Sequence, residues 1–148
     1  MSGTSLPLKK KIEVRLNRIR READGILSFE FVDPTGAELP AFTAGAHIEV
    51  HITPEMIRSY SISSDPSDKN RYEVAVLKET AGRGGSLAMH ERLKEGDVLT
   101  ITAPINHFPL AGKEARAHLL LAGGIGVTPM MAMISELEAK NANGTCTI

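Results

Sequence analysis

The chain holds one cysteine, Cys146, in 148 residues. An intramolecular disulfide is therefore impossible, and so is an iron–sulfur cluster held by four thiolates within this sequence. An excess of one charge is missing as well, since 17 Lys and Arg stand against 18 Asp and Glu for a formal net charge of -1. No overall field draws in DNA, RNA or an anionic membrane, so neither nucleic acid nor membrane is an expected partner. The longest apolar stretch, His118 to Met133, is interrupted by Gly123, Gly124, Gly126 and Pro129 and falls short of the ~20 apolar residues of a membrane span. Lys9-Lys10-Lys11 has no apolar run behind it, does not read as a secretory signal, and leaves a cytoplasmic protein as the expectation. Of the five histidines, none has a zinc spacing; His47 and His51 sit in strand-like surroundings as wall or surface residues, and no metal site is expected.

What remains is a globular composition, 42% hydrophobic and 24% charged, long enough for one domain or for a small domain and a piece of another. Ile12, Val14 and Leu16 alternate with polar residues in the two-residue period of a half-buried strand. Their basic neighbours, from Lys9 to Arg21, read as the solvated face of an edge strand. Asp24-Gly25 is a turn before a second strand, Ile26 to Val32. His47 to Ile52, Ile57 to Ser63, Arg71 to Lys78 and Val98 to Thr102 follow as further strands. Ser86 to Leu93 reads as a helix capped by Ser86 and closed by Gly96. Six short strands with one late helix predict a closed or nearly closed antiparallel barrel, because closure removes exposed edges.

The character changes after the Pro- and Gly-containing stretch Pro104 to Lys113. His118 to Ala122 reads as a strand buried on both faces, a glycine turn leads to a helix from Pro129 to Ala139, and Thr145 to Ile148 opens another strand. Residues 1–108 are thus expected as the barrel domain and 109–148 as the incomplete βαβ start of an α/β domain.

Three segments carry candidate chemistry. In Arg58-Ser59-Tyr60-Ser61, strand alternation puts a guanidinium and an aromatic ring on one face, able to hold a phosphate and a flat heterocycle together. Taken alone, so short a motif fits an ordinary half-exposed strand better. Ala81-Gly82-Arg83-Gly84-Gly85-Ser86 opens the expected helix and reads as a phosphate cradle or as a flexible capped turn. Ala122-Gly123-Gly124-Ile125-Gly126-Val127-Thr128-Pro129 has the strand–turn–helix context of a dinucleotide site, without the G-x-G-x-x-G spacing.

In this order the three segments resemble the ferredoxin-reductase-like flavoproteins, in particular the branch of phthalate dioxygenase and vanillate O-demethylase reductases. The resemblance runs from about Ile12 onward and implies a mainly β fold, a six-stranded antiparallel Greek-key flavin-binding barrel with one helix. It implies that Arg58, Ser59, Tyr60 and Ser61 grip the flavin, with Tyr60 against the isoalloxazine. It further implies that Ala75, Val76 and Leu77 line the flavin with backbone groups, and that Lys78, Arg83, Gly84, Gly85 and Ser86 serve the phosphate. A phosphate at a helix start favours FMN, with FAD possible. Thr128 is implied as the residue approaching flavin and nicotinamide, with Gly123, Gly124 and Gly126 facing the pyridine nucleotide. The implied reaction passes electrons from NAD(P)H through flavin to a 2Fe-2S centre in a further domain, and on to an oxygenase or ferredoxin partner.

Two further expectations follow. The chain stops one strand past the second helix, so a fragment or truncated product is expected, with Leu121, Met130, Met133, Ile134 or Leu137 left exposed. The competing class is a barrel that kept the scaffold as a non-catalytic ligand-binding or protein-interaction module, because fold alone does not fix function.

Overall fold

The computed structural model describes residues 9–110, 125 and 127–140. The six expected strands are β1 (Lys11–Ala23), β2 (Ile26–Val32), β3 (His47–Thr53), β4 (Met56–Ser61), β5 (Tyr72–Leu77) and β6 (Val98–Thr102). Helix α1 (Gly85–Arg92) lies between β5 and β6, and helix α2 (Val127–Lys140) ends the described chain. The expected strands His118 to Ala122 and Thr145 to Ile148, together with Leu121, Gly123, Gly124 and Gly126, lie outside the described residues.

All six strands form one antiparallel sheet in the order β4-β3-β6-β1-β2-β5. The hairpins β1–β2 and β3–β4 are local, and β6 returns late to join them by pairing with both β1 and β3, as in a Greek key. The sheet curls until its two outer strands meet, through a bridge between Ile62 and Val74 and a 2.7 Å bond from the Ser63 N–H to the Glu73 carbonyl.

Alternation accounts for the interior. Val14 and Leu16, Phe29 and Phe31, Ile48 and Val50, and Val74 and Val76 are all buried, as every second residue of their strands. Met89 from α1 joins the same cluster. Each such side chain contributes about 1.5–3 kcal/mol by leaving water.

Strand β1 is not an edge strand. It runs longer than its alternating start suggests, pairing with β6 from Lys11 to Arg15 and with β2 from Arg15 to Ala23. Two of its four arginines are held in ion pairs: Arg20 pairs with Glu22 at 2.8 Å, and Arg21 pairs with Asp24.

The chain leaving β6 is strapped back onto the barrel. Asn106 Nδ2 donates to Thr43 Oγ1 at 2.6 Å and to the Ala44 carbonyl at 2.9 Å, while its Oδ1 accepts the Phe108 N–H at 2.9 Å. Gly45 lets this happen. A Cβ there would stand 1.9 Å from the Phe108 carbonyl oxygen, and its φ of +99° is one that side-chain-bearing residues avoid. Beyond the strap, Ala132 and Met133 of α2 pack on Ala44, with Leu110 and Met130 alongside. Met133, expected to be exposed, is therefore buried, whereas Met131 and Val127 are the exposed large apolar residues of this helix. Among the described residues no helix is long and apolar enough to cross a membrane.

Candidate functional site

The site begins where the barrel seam comes apart. Continuing the Ile62–Val74 register would pair Ser61 with Ala75, Tyr60 with Val76 and Ser59 with Leu77, yet β4 is laddered only to β3 and β5 only to β2. The unpaired stretches diverge instead, and a cleft of about 280 Å³ opens between them. Its walls include Arg58, Ser59 and Tyr60 from β4, Ala75, Val76 and Leu77 from β5, and Arg83, Gly85 and Ser86 from the start of α1.

Alternation decides which backbone groups face this gap. The Ile62 N–H bonds the Ala46 carbonyl on the β3 side, and the Lys78 N–H bonds the Gly25 carbonyl on the β2 side. The peptide groups of Ser59 and Ser61 on one strand, and of Ala75 and Leu77 on the other, therefore turn into the seam. Buried or half-buried peptide groups call for partners, and a planar ligand with donors and acceptors on its edge supplies them.

One end of the cleft is built for an anion. Helix α1 begins at Gly84, which takes a φ of +88° as N-cap, has no side-chain capping bond and carries no acid in its first turn. Its first N–H groups and the positive end of its dipole are thus open to a ligand. Arg58 lies across this helix start so closely that a Cβ on Gly85 would stand 2.4 Å from Arg58 Nε. The Arg58 guanidinium donates to the Ile57 carbonyl at 2.9 Å and to the Arg83 carbonyl at 3.4 Å.

Ser86 does not cap the helix as its position suggests. Its Oγ accepts the Glu79 N–H at 2.9 Å, tying the turn after β5 to the helix. His90 packs its ring edge on Phe29 and its Nε2 lies 2.7 Å from the Val76 carbonyl, fixing α1 against β5. Burial holds the Tyr60 hydroxyl above its ordinary range, with the charge of Glu79 adding to this and that of Arg58 opposing it. Tyr60 thus remains a neutral ring with a hydroxyl.

Some expected residues fall elsewhere. Lys78 pairs with Glu91 at 3.5 Å and does not line the cleft. Gly84 shapes the helix start without lining it. Ser61 borders a second cleft with Gly45, His47, Ser59, His107 and Phe108, so the two clefts share Ser59. Thr128 is buried in the first turn of α2 and lines neither cleft. Gly82, from the segment read as a phosphate cradle, also lines the first cleft among the described residues, as do Glu79 and Ile125, which were not expected to meet the flavin. Glu79 sits in the turn between the β5 residues and the glycine segment 81–86, which is the signal that could have found it. Ile125 belongs to the glycine segment 122–129, which the sequence assigns to a pyridine nucleotide and not to the flavin. Among the described residues no group of acids, histidines or cysteines is placed to hold a metal.

A seam with unpaired strand edges, an aromatic ring, two arginines and an open helix start suits a phosphate-bearing flat heterocycle, and the comparisons with known proteins agree. The chain belongs to the oxidoreductase FAD-binding domain family, which it matches over residues 13–109, and the cofactor of that family is a flavin. It is 41% identical over 145 residues to the reductase subunit of the tert-butanol monooxygenase / tert-amyl alcohol desaturase of Aquincola tertiaricarbonis, covering 98% of this chain and 43% of that one. With the vanillate O-demethylase oxidoreductase of Pseudomonas putida it shares 48% over 119 residues, covering 80% and 37% respectively. Among solved structures, phthalate dioxygenase reductase superposes with a TM-score of 0.85 at 40% identity, over 88% of this chain and 40% of that one. The chain thus spans about two fifths of the length of these relatives.

Proposed function

We propose that this chain is the flavin-holding part of an oxygenase reductase, binding FMN in the open seam and working in the transfer of electrons from NAD(P)H towards a 2Fe-2S centre and an oxygenase. The observation that carries this reading is the unzipped register between β4 and β5, ending at a helix start with no cap and an arginine laid across it. Arg58, Arg83 and the first N–H groups of α1 would hold the phosphate by charge-assisted bonds. Tyr60 would cover the ring, and the seam-facing peptide groups of Ser59, Ser61, Ala75 and Leu77 would meet its polar edge. A bound flavin supplies the exchange between hydride donors and one-electron acceptors, and the protein fixes its place and excludes water around it. A terminal phosphate that ends in this cradle favours FMN over FAD.

In this reading residues 1–108 form the flavin domain and 109–148 open a nicotinamide domain, with Gly123, Gly124, Gly126 and Thr128 on the pyridine-nucleotide side. This reading places the chain in the cytoplasm, where NAD(P)H is supplied. The relatives are reductase components of oxygenases and demethylases, which supports an oxygenase as the partner.

The test is the visible spectrum of the purified chain after incubation with FMN or FAD and removal of free flavin. A yellow protein, whose released flavin is unchanged by phosphodiesterase, is expected. A protein that stays colourless with both flavins would overturn the reading.

A further inference from the structure

We infer that Glu79 selects the flavin, admitting a monophosphate to the cleft and turning away the diphosphate extension that an adenylate requires. The inference rests on the flavin reading of the cleft. Among the described residues that line it, Glu79 is the one acid, alongside Arg58 and Arg83. None of the three takes part in an ion pair among the described residues. A carboxylate that shares a cleft with two arginines and leaves both unpaired is holding a position of its own.

That position is fixed from the backbone. The Glu79 N–H is held by Ser86 Oγ at 2.9 Å, and its carbonyl accepts the Gly82 N–H at 3.4 Å. The side chain folds back along the same turn, so that Oε2 would touch a Cβ on Gly82 at 3.4 Å. Its charge adds to the burial that holds the Tyr60 hydroxyl above its ordinary range. The rim from Glu79 to Arg83 is therefore acidic at one end and basic at the other.

A terminal phosphate carries about -1.5 to -2 charges near neutral pH, and two arginines with a helix start match it. In this inference a flavin that continues through a second phosphate places that group beyond the arginine pair, on the rim of the cleft that Glu79 lines. Like charges there oppose each other through partly screened solvent, which makes the expected effect moderate and dependent on salt.

The experiment titrates the full chain with FMN, FAD and riboflavin at low ionic strength, following flavin fluorescence. Glu79→Gln keeps the size of the side chain and the N–H bond to Ser86 while removing the charge. Wild type is expected to prefer FMN, and Glu79→Gln to narrow the FMN-to-FAD preference by about three- to tenfold, mainly through tighter FAD, with riboflavin unmoved. The difference should shrink in high salt. Glu38→Gln, an exposed acid outside the cleft, should leave the preference unchanged. A preference unmoved by Glu79→Gln, an equal weakening of all three ligands, or a wild type that prefers FAD overturns the inference while the flavin site stands. A wild type that binds neither flavin defeats the flavin reading itself, and this inference with it.

Discussion

The barrel draws its interior from alternate residues of β1, β2, β3 and β5, with Ile62, Met89 and Ile101 among the residues added, whereas α2 meets the described chain through Ala132 and Met133 against Ala44 and Leu110. The first arrangement is over-determined: register, closure and core all constrain the same strands. The second hangs on a small apolar contact reached through the Asn106 strap. Every described residue of the candidate flavin cleft except Ile125 belongs to the barrel and its helix α1 or to the turn between them. The cleft is therefore built by the well-held part of the molecule, and whatever α2 contributes is added to a finished surface.

The difference between these two regions can be sharpened by mutation. Phe29→Ala, at the centre of the barrel, should cost about 3–5 kcal/mol and collapse flavin binding along with the fold, as read by chemical denaturation. Arg58→Ala should leave the denaturation midpoint nearly unchanged while weakening FMN by about 1–3 kcal/mol, because it removes charged hydrogen bonds at the cleft and little packing. An affinity equal to wild type would place the flavin elsewhere. Met133→Ala should cost no more than about 2 kcal/mol, at the low end for a buried methionine, since its small cluster can relax. It should also leave FMN affinity intact. Loss of FMN affinity in that variant would show that α2 shapes the cleft after all.

The smallest effect concerns pH. Burial, helped by the neighbouring His107 and Lys9 and opposed by Glu49, holds His47 below its ordinary range. The unfolded chain then binds the proton more readily than the folded one, so this residue's contribution is present above about pH 6.5 and is lost as pH falls below it. Thermal melts of wild type should drop through that window, and His47→Gln should flatten the drop. Identical profiles would assign the titration to another group.

Much of this organisation was legible in the sequence because a period of two is hard to imitate. Val14 and Leu16, Phe29 and Phe31, and Val74 and Val76 announced strands and their inner faces. The glycine loop before α1 announced a helix start. What the sequence hid was what depends on distant partners. That β1 lies inside the sheet rests on β6, some 80 residues later, returning to pair with it. The pairing of Lys78 with Glu91 depends on how α1 packs on β5, and nothing in the sequence near Lys78 points to it. Ser86 was read as a cap from its place at the helix start, yet the folded turn offers its oxygen the Glu79 N–H instead. Glu79 itself drew no notice, because an acid beside a glycine turn is unremarkable until the seam of the barrel opens next to it.

The most direct measurement is an amide proton–nitrogen correlation spectrum of the chain recorded with and without FMN. If the open seam is the flavin site, the resonances of Ser59, Ser61, Ala75, Leu77, Gly85 and Ser86 move together while those of the β1–β6 pairing stay in place. Shifts confined to another part of the surface, or no shifts at saturating FMN, would contradict it.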